Sequence, residues 1–256
     1  RETLAPPRKG ADDRYLQKTN EQVALNRFGN IQSLEHSSLN PNLNANRINI
    51  NGKNVAIATQ YPYEHQIPNH LRMLVDNNIP VVTVIAEQSQ MEEPTNNMSD
   101  YFSGNLDVDT IYSNINPEPI YANIGSTGST TRKYNGVTTT SILQEQDIVL
   151  GKNISGEPLL GNVYALTINT LNAESFTVEV LHVHNWKDHT AVDANTTLQI
   201  ADKVIELAND RKNDGKPVIH CKAGVGRTGQ VLGALVMQQD KDNTMSLESI
   251  VTDMRN

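Results

Sequence analysis

Apolar positions along this chain fall into short, separated runs of two periods. Val55-Ala56-Ile57-Ala58-Thr59-Gln60 reads as a strand, and Ile79 to Ala86 is a near-continuous β-branched stretch suited to a parallel strand covered on both faces. Val163–Thr170 and Phe176–Val183 alternate like an antiparallel pair, with Asn172-Ala173-Glu174 as their turn. Helical spacing marks Ile67–Val75 and Thr196–Arg211. The second has an apolar face of Leu198, Ala201, Val204, Ile205 and Ala208, with Asp193 or Asn195 as its cap. Asn213-Asp214-Gly215 ends it and leads into a short apolar run, Pro217-Val218-Ile219. A second apolar helical run, Val231–Met237, breaks at Asp240-Lys241-Asp242-Asn243, and Ser246–Met254 starts one more helix.

Between these runs the chain is polar. Residues 1–20 read as a lead-in, 39–54 are rich in asparagine, and 87–100 read as an acidic loop. Val108–Tyr112 is a candidate strand, and Asn114–Asn135 is expected to be a long exposed loop. That loop region carries Asp109-Thr110-Ile111-Tyr112-Ser113-Asn114-Ile115 and Glu118-Pro119-Ile120-Tyr121-Ala122-Asn123-Ile124. Aligned, these are two copies of Ile-Tyr-small-Asn-Ile, nine residues apart.

The candidate chemistry sits between the last short strand and the helix after it, in His220-Cys221-Lys222-Ala223-Gly224-Val225-Gly226-Arg227-Thr228-Gly229. Strand, tight loop, then helix makes a cradle for an oxyanion. The glycines let the backbone fold closely, and the helix aims its N–H groups and positive dipole end into the loop. The same field favours a thiolate, so Cys221 is expected in the lowered range of about 3.5–7.5. Arg227 brings a planar fork that meets two phosphate oxygens at once. Thiolate, amide cradle and arginine together point to phosphoryl transfer through cysteine.

His220-Cys221-x5-Arg227-Thr228 resembles the signature of the cysteine-dependent protein tyrosine phosphatases. Leu25-Asn26-Arg27-Phe28, Ile57-Ala58-Thr59-Gln60-Tyr61-Pro62 and Asp100-Tyr101-Phe102 are similar in particular to the type III secreted effector phosphatases of bacteria. The resemblance covers about residues 14–102 and 162–256. It implies an α/β fold, a single phosphatase domain with a central, highly twisted mixed β-sheet flanked by helices. Residues 21–256 would be the catalytic domain, and about 103–161 an extended polar insertion. The resemblance also implies roles. Cys221 is the nucleophile, and Lys222, Ala223, Gly224, Val225 and Gly226 form the substrate cradle with Arg227. His220 tunes the thiolate, and Thr228 hydrogen-bonds the departing sulfur. Trp186-Lys187-Asp188 stands where the family has Trp-Pro-Asp on a mobile loop, which makes Asp188 the general acid and His189 a water-orienting residue. Phe28 and Ile31 match the wall that grips the phenyl ring, and Asn30 stands where the family has a peptide-anchoring aspartate. The family carries a further glutamine-containing loop beyond the helix that starts near Ser246, and this chain stops before it.

Bulk numbers narrow the context. At 256 residues the chain is long enough for one large α/β domain or two small ones. A formal charge of −8 argues against nucleic acid or a membrane surface as partner. No run approaches the ~20 apolar residues of a membrane span, and no signal-peptide core is visible. The chain begins with Arg1 and reads as an excerpt of something longer. Cys221 is the only cysteine, and such a thiol works only where it stays reduced. The thiol therefore points to a reducing, cytosolic setting, and the resemblance implies a bacterial effector, secreted and active in the cytosol of a host cell, with phosphotyrosine proteins as substrates. No metal or other cofactor is expected. Glu118-Pro119-Ile120-Tyr121-Ala122 resembles a motif in effectors that host tyrosine kinases phosphorylate. Tyr121 and Tyr112 are thus candidate phosphorylation sites, with host kinases and SH2-type domains as partners through residues 109–124. Two other readings remain at this point: an adaptor that works through those tyrosines, and a phosphoinositide phosphatase. Val225 stands where the latter family places a lysine, which disfavours it.

Overall fold

The computed structural model describes residues 14–104, 128–171, 174–240 and 244–255. Their organising element is a mixed sheet in the order β1-β2-β8-β3-β7-β6-β5-β4. Its centre comes from the apolar runs. β3 (Val81–Ile85) is buried at every position and lies parallel to both β8 (Val218–Cys221) and β7 (Phe176–Val183). β2 (Lys53–Gln60) pairs parallel to the other side of β8 and antiparallel to β1 (Ala45–Ile50). Asn51 and Gly52 join β1 to β2 with φ of 49° and 72°. Two such residues make a tight hairpin whose twist matches its strands, and Asn-Gly is the pair best suited to it.

Alternation along the central strands sends side chains to two cores. Ile57, Val82, Val84 and Val218 face one core, closed by α2 (Ile67–Asp76) and by Tyr61, Tyr101 and Phe102. Ala56, Ala58, Val81, Ile85 and Ile219 face the other. Two helices cover that second face: α4 (Ala194–Asn209) and α5 (Gly226–Gln239). The Asp193 side chain caps α4 by accepting from the Thr196 N–H at 2.6 Å, a contact worth about 1 kcal/mol. α4 turns Ile200, Ala201, Val204 and Leu207 inward, while Leu198, Ile205 and Ala208 lie at the margin of the core. The buried stripe is therefore rotated from the expected one. A helix docked between a sheet and a second helix buries the side facing both.

The second half of the stretch expected to be a polar insertion is sheet. β4 (Thr130–Tyr134) begins inside the segment read as loop, and the sixteen-residue β5 (Val137–Lys152) follows it. Val137, Thr139 and Ser141 point inward in strict alternation. Threonine is polar by composition but β-branched, and fits a pleated surface well. β5 pairs antiparallel to β6 (Pro158–Thr170), which pairs antiparallel to β7, so the two alternating runs adjoin as expected. Residues 87–100 are not all loop either. They hold α3 (Gln88–Glu92) and a 3-10 turn over Pro94–Asn96, after a short first helix, α1 (Asn20–Ala24), earlier in the chain. The last described helix is α6 (Leu247–Arg255), whose Ile250 packs with Ile50 and Val236. The candidate strand Val108–Tyr112, Tyr121 and the Asn172-Ala173 part of the turn lie outside the described residues.

Candidate active site

β8 ends at Cys221 and α5 begins at Gly226, leaving four residues to turn the chain. The turn works because Gly224 has φ of 79°, and a Cβ there would collide with the Thr59 carbonyl of β2. The bend brings the Gly224 N–H to 3.3 Å from Cys221 Sγ. Cys221 is 3 % exposed, and burial pushes its thiol up. The Thr228 hydroxyl, the Thr228 and Gly224 N–H groups and the Arg227 charge outweigh burial, and the net direction is down. The Thr228 hydroxyl lies close enough to act on the sulfur but makes no full hydrogen bond in the resting site.

Arg227 is also 3 % exposed, a rare position for a guanidinium. Its Nη1 donates to the Trp186 carbonyl at 2.9 Å, and its Nη2 donates to Gln90 Oε1 at 3.0 Å and pairs with Asp188 Oδ1 at 3.2 Å. Its Nε–H has no partner. A buried, charged donor left open costs stability unless a ligand completes it.

The acid loop folds over this arginine. Trp186 is buried and donates its Nε1–H to the Thr190 carbonyl at 3.1 Å, closing a tight turn. His189 takes a left-handed φ of 56° and donates its N–H to Asp188 Oδ1 at 3.0 Å. Asp188 Oδ2 accepts from Gln90 Nε2 at 3.0 Å. The opposite wall is set by Arg27, which donates to the carbonyls of Tyr61, Asn96 and Asn97 at 2.9, 2.5 and 2.7 Å and stacks over the Tyr63 ring. Phe28 follows directly and is thereby fixed in place.

These elements enclose a cleft of about 700 Å³ lined by Phe28, Ile31, Asp188, His189, Cys221, Lys222, Ala223, Val225, Gly226 and Arg227. Ten of the residues singled out from the sequence thus meet around one space. Lys222 lines it, but its ammonium is held by Asn96 Oδ1 at 2.5 Å. Thr228 and Gly224 stand behind the sulfur. Asn30 is exposed and is not among the residues lining the cleft. His220 lies on the opposite face of the sheet from Cys221, fully buried against Tyr61, His70 and Tyr101. Burial and His70 push its pKa well below the ordinary value, so the ring is neutral. Its Nδ1 lies 3.4 Å from the Cys221 carbonyl, which can only accept, so Nδ1 carries the proton and Nε2 accepts from the Tyr101 hydroxyl at 2.7 Å.

A family model for protein-tyrosine phosphatases matches residues 21–256. The chain belongs to that family. It is similar to the tyrosine-protein phosphatase YopH of Yersinia pseudotuberculosis, 34% identical over 269 residues, which covers 100% of this chain and 50% of that protein. It is also similar to the secreted effector protein SptP of Salmonella paratyphi A, at 26% identity over 82% of this chain and 33% of that protein. The chain therefore spans half the length, or less, of these relatives. A solved structure described as the structural basis of PTPN18 fingerprint on distinct HER2 tyrosine phosphorylation sites shares the fold, with a TM-score of 0.64, 18% identity, and cover of 91% of this chain and 75% of that one. The expected α/β phosphatase fold is thus what the chain adopts.

In this phosphatase domain, sequence reasoning missed Gln90, Asn96, Gln230 and the role of Tyr101. Gln230 lies one helical turn after Arg227 and lines the cleft, so the apolar-run reading of α5 passed over it. Gln90 and Asn96 are neutral amides in a short segment with no periodicity, and only the fold brings them to the site. Tyr101 was matched as part of Asp100-Tyr101-Phe102, but the hydrogen bond to His220 joins residues far apart in sequence.

Proposed function

We propose that this chain hydrolyses phosphotyrosine in proteins through a cysteinyl-phosphate intermediate. The observation that carries the reading is the open Nε–H of Arg227, buried beside a cysteine whose thiol is held down. An anion in the cleft would satisfy that donor and replace Asp188 at the fork. Cys221 Sγ, as thiolate, then attacks phosphorus opposite the tyrosine oxygen. The loop N–H groups and Arg227 hold the phosphoryl oxygens as the P–O bond breaks. Asp188, released from the arginine and protonated, gives its proton to that oxygen, so neutral phenol leaves. In the second step Asp188 takes a proton from a water placed by His189, the water oxygen bonds to phosphorus, and the S–P bond breaks to return the thiolate and inorganic phosphate. Phe28 and Ile31 flank the ring. Thr228 stabilises the departing sulfur, and His220 acts on Cys221 through its carbonyl.

The relatives extend the proposal to setting. YopH is named a tyrosine-protein phosphatase and SptP a secreted effector protein, which supports a bacterial effector acting on host phosphotyrosine proteins. A lone low-pKa thiol suits a reducing host cytosol. No helix among the described residues is long and apolar enough to cross a membrane. Host kinases and SH2-type partners at Tyr112 and Tyr121 rest on the sequence motif, and tyrosine phosphorylation of the chain read by mass spectrometry tests them.

The deciding experiment is hydrolysis of a phosphotyrosine peptide in chelator, beside Cys221→Ser. Turnover that Cys221→Ser abolishes, with a phosphocysteine trapped by acid quench, supports the proposal. Turnover that survives Cys221→Ser sinks it.

A further inference from the structure

We infer that Gln90 is a positioning residue that ties the general acid to the phosphate-holding arginine through one neutral side chain. This rests on the phosphatase reading above and adds a part to it. Gln90 is half-buried on α3, and each end of its amide meets a different catalytic group. Nε2 donates to Asp188 Oδ2 and Oε1 accepts from Arg227 Nη2, both at 3.0 Å. Chemistry fixes this orientation, because the carboxylate only accepts and the guanidinium only donates.

The segment that carries Gln90 is itself held to both sides of the cleft. The Gln90 carbonyl accepts from Asn96 Nδ2 at 2.8 Å, and Asn96 Oδ1 accepts from Lys222 of the cradle. Arg27, next to Phe28, clamps the carbonyls of Asn96 and Asn97. At the other end Glu87 Oε2 accepts from the Asp188 N–H at 3.4 Å, and the Gln88 N–H donates to the His184 carbonyl at 3.0 Å. α3 is therefore braced between the aromatic wall, the cradle and the acid loop. Gln90 is the one member of the brace that touches both Asp188 and Arg227.

An amide does at this position what a carboxylate cannot. A glutamate would still accept from Arg227 but would have no N–H for Asp188 and would place a like charge against it. The arrangement thus predicts a separation between two functions. Gln90→Ala loses both contacts, and Gln90→Glu keeps the arginine contact and loses the acid contact.

The test compares wild type, Gln90→Ala and Gln90→Glu on phenyl phosphate, whose leaving group needs a proton, and on 2,4-dinitrophenyl phosphate, whose leaving group does not. Both variants should lose about tenfold more in kcat/KM on phenyl phosphate than on the dinitrophenyl ester, because kcat/KM reports only the transfer to Cys221 and not the water step, where Asp188 serves both substrates alike. KM should rise for Gln90→Ala and stay near wild type for Gln90→Glu. Equal losses on both substrates would show a merely structural role and overturn the inference, as would wild-type rates on phenyl phosphate. Failure of the underlying phosphatase reading looks different: wild type itself turns over neither ester.

Discussion

Cys221 and His220 are neighbours on one strand and live in opposite worlds. Cys221 faces a cleft ringed by N–H groups, a hydroxyl and a guanidinium, and its ionised form is favoured. His220 faces a closed aromatic layer of Tyr61, His70 and Tyr101, and its ionised form is disfavoured. Both side chains are almost wholly out of water. Burial alone therefore does not decide ionisation. Ordered dipoles aimed at the group do, and only one face of β8 supplies them.

The largest test of this contrast is Cys221→Ser. Phosphotyrosine turnover should fall below detection while the melting temperature stays within a few degrees, since oxygen replaces sulfur without a change of shape. Next is Asp188→Asn, which keeps the size of the side chain but leaves one acceptor oxygen for Gln90 Nε2 and Arg227 Nη2 and removes the transferable proton. kcat should drop about 10²–10⁴-fold, measured on phenyl phosphate. A smaller effect lies in the pH dependence of alkylation by iodoacetamide. Because the Cys221 thiol is held down, its rate should persist below the pH at which a free thiol stops reacting, and Thr228→Val should move that limit upward.

The smallest effects belong to the closed face. Tyr101→Phe removes the hydroxyl that His220 Nε2 accepts from, and should cost about 1–3 kcal/mol of stability by urea titration with kcat changed only severalfold. Acid should also act from this side. Burial lowers His70 to about 4, below its value in the unfolded chain, so the unfolded state binds more protons between those limits. The contribution is complete above about pH 6.5 and is lost as pH falls toward 4. His70→Gln should flatten the fall in melting temperature over that range.

The same two faces show why parts of the molecule were legible in the sequence. Strands β3 and β8 and helix α5 carry or adjoin near-continuous apolar runs, and the signature between β8 and α5 is a fixed spacing within ten residues. Asp188 was found because Trp186 and the signature gave it a context. β5 was hidden because Thr139 and Ser141 stand beside Val137 at its inward positions and are buried only by pairing with β6, and β4, which pairs with β5, has no buried position to mark it. Asn30 stands where the resemblance puts a peptide-anchoring residue, and it is exposed between Phe28 and Ile31, which line the cleft. Gln90 left no trace at all. Its importance comes from where α3 is braced, which no local pattern records.

That Cys221 is the only sulfhydryl in these 256 residues has a consequence for oxidative stress. Peroxide would convert a thiolate of this kind to a sulfenic acid, and no second cysteine of this stretch stands ready to trap it as a disulfide. Within these residues the reversible ends left to the sulfenic acid are a sulfenamide with a backbone nitrogen or a mixed disulfide with a small thiol, each in competition with further oxidation that is not reversed. How long this site survives peroxide would then turn on the small thiols around it as well as on its own backbone.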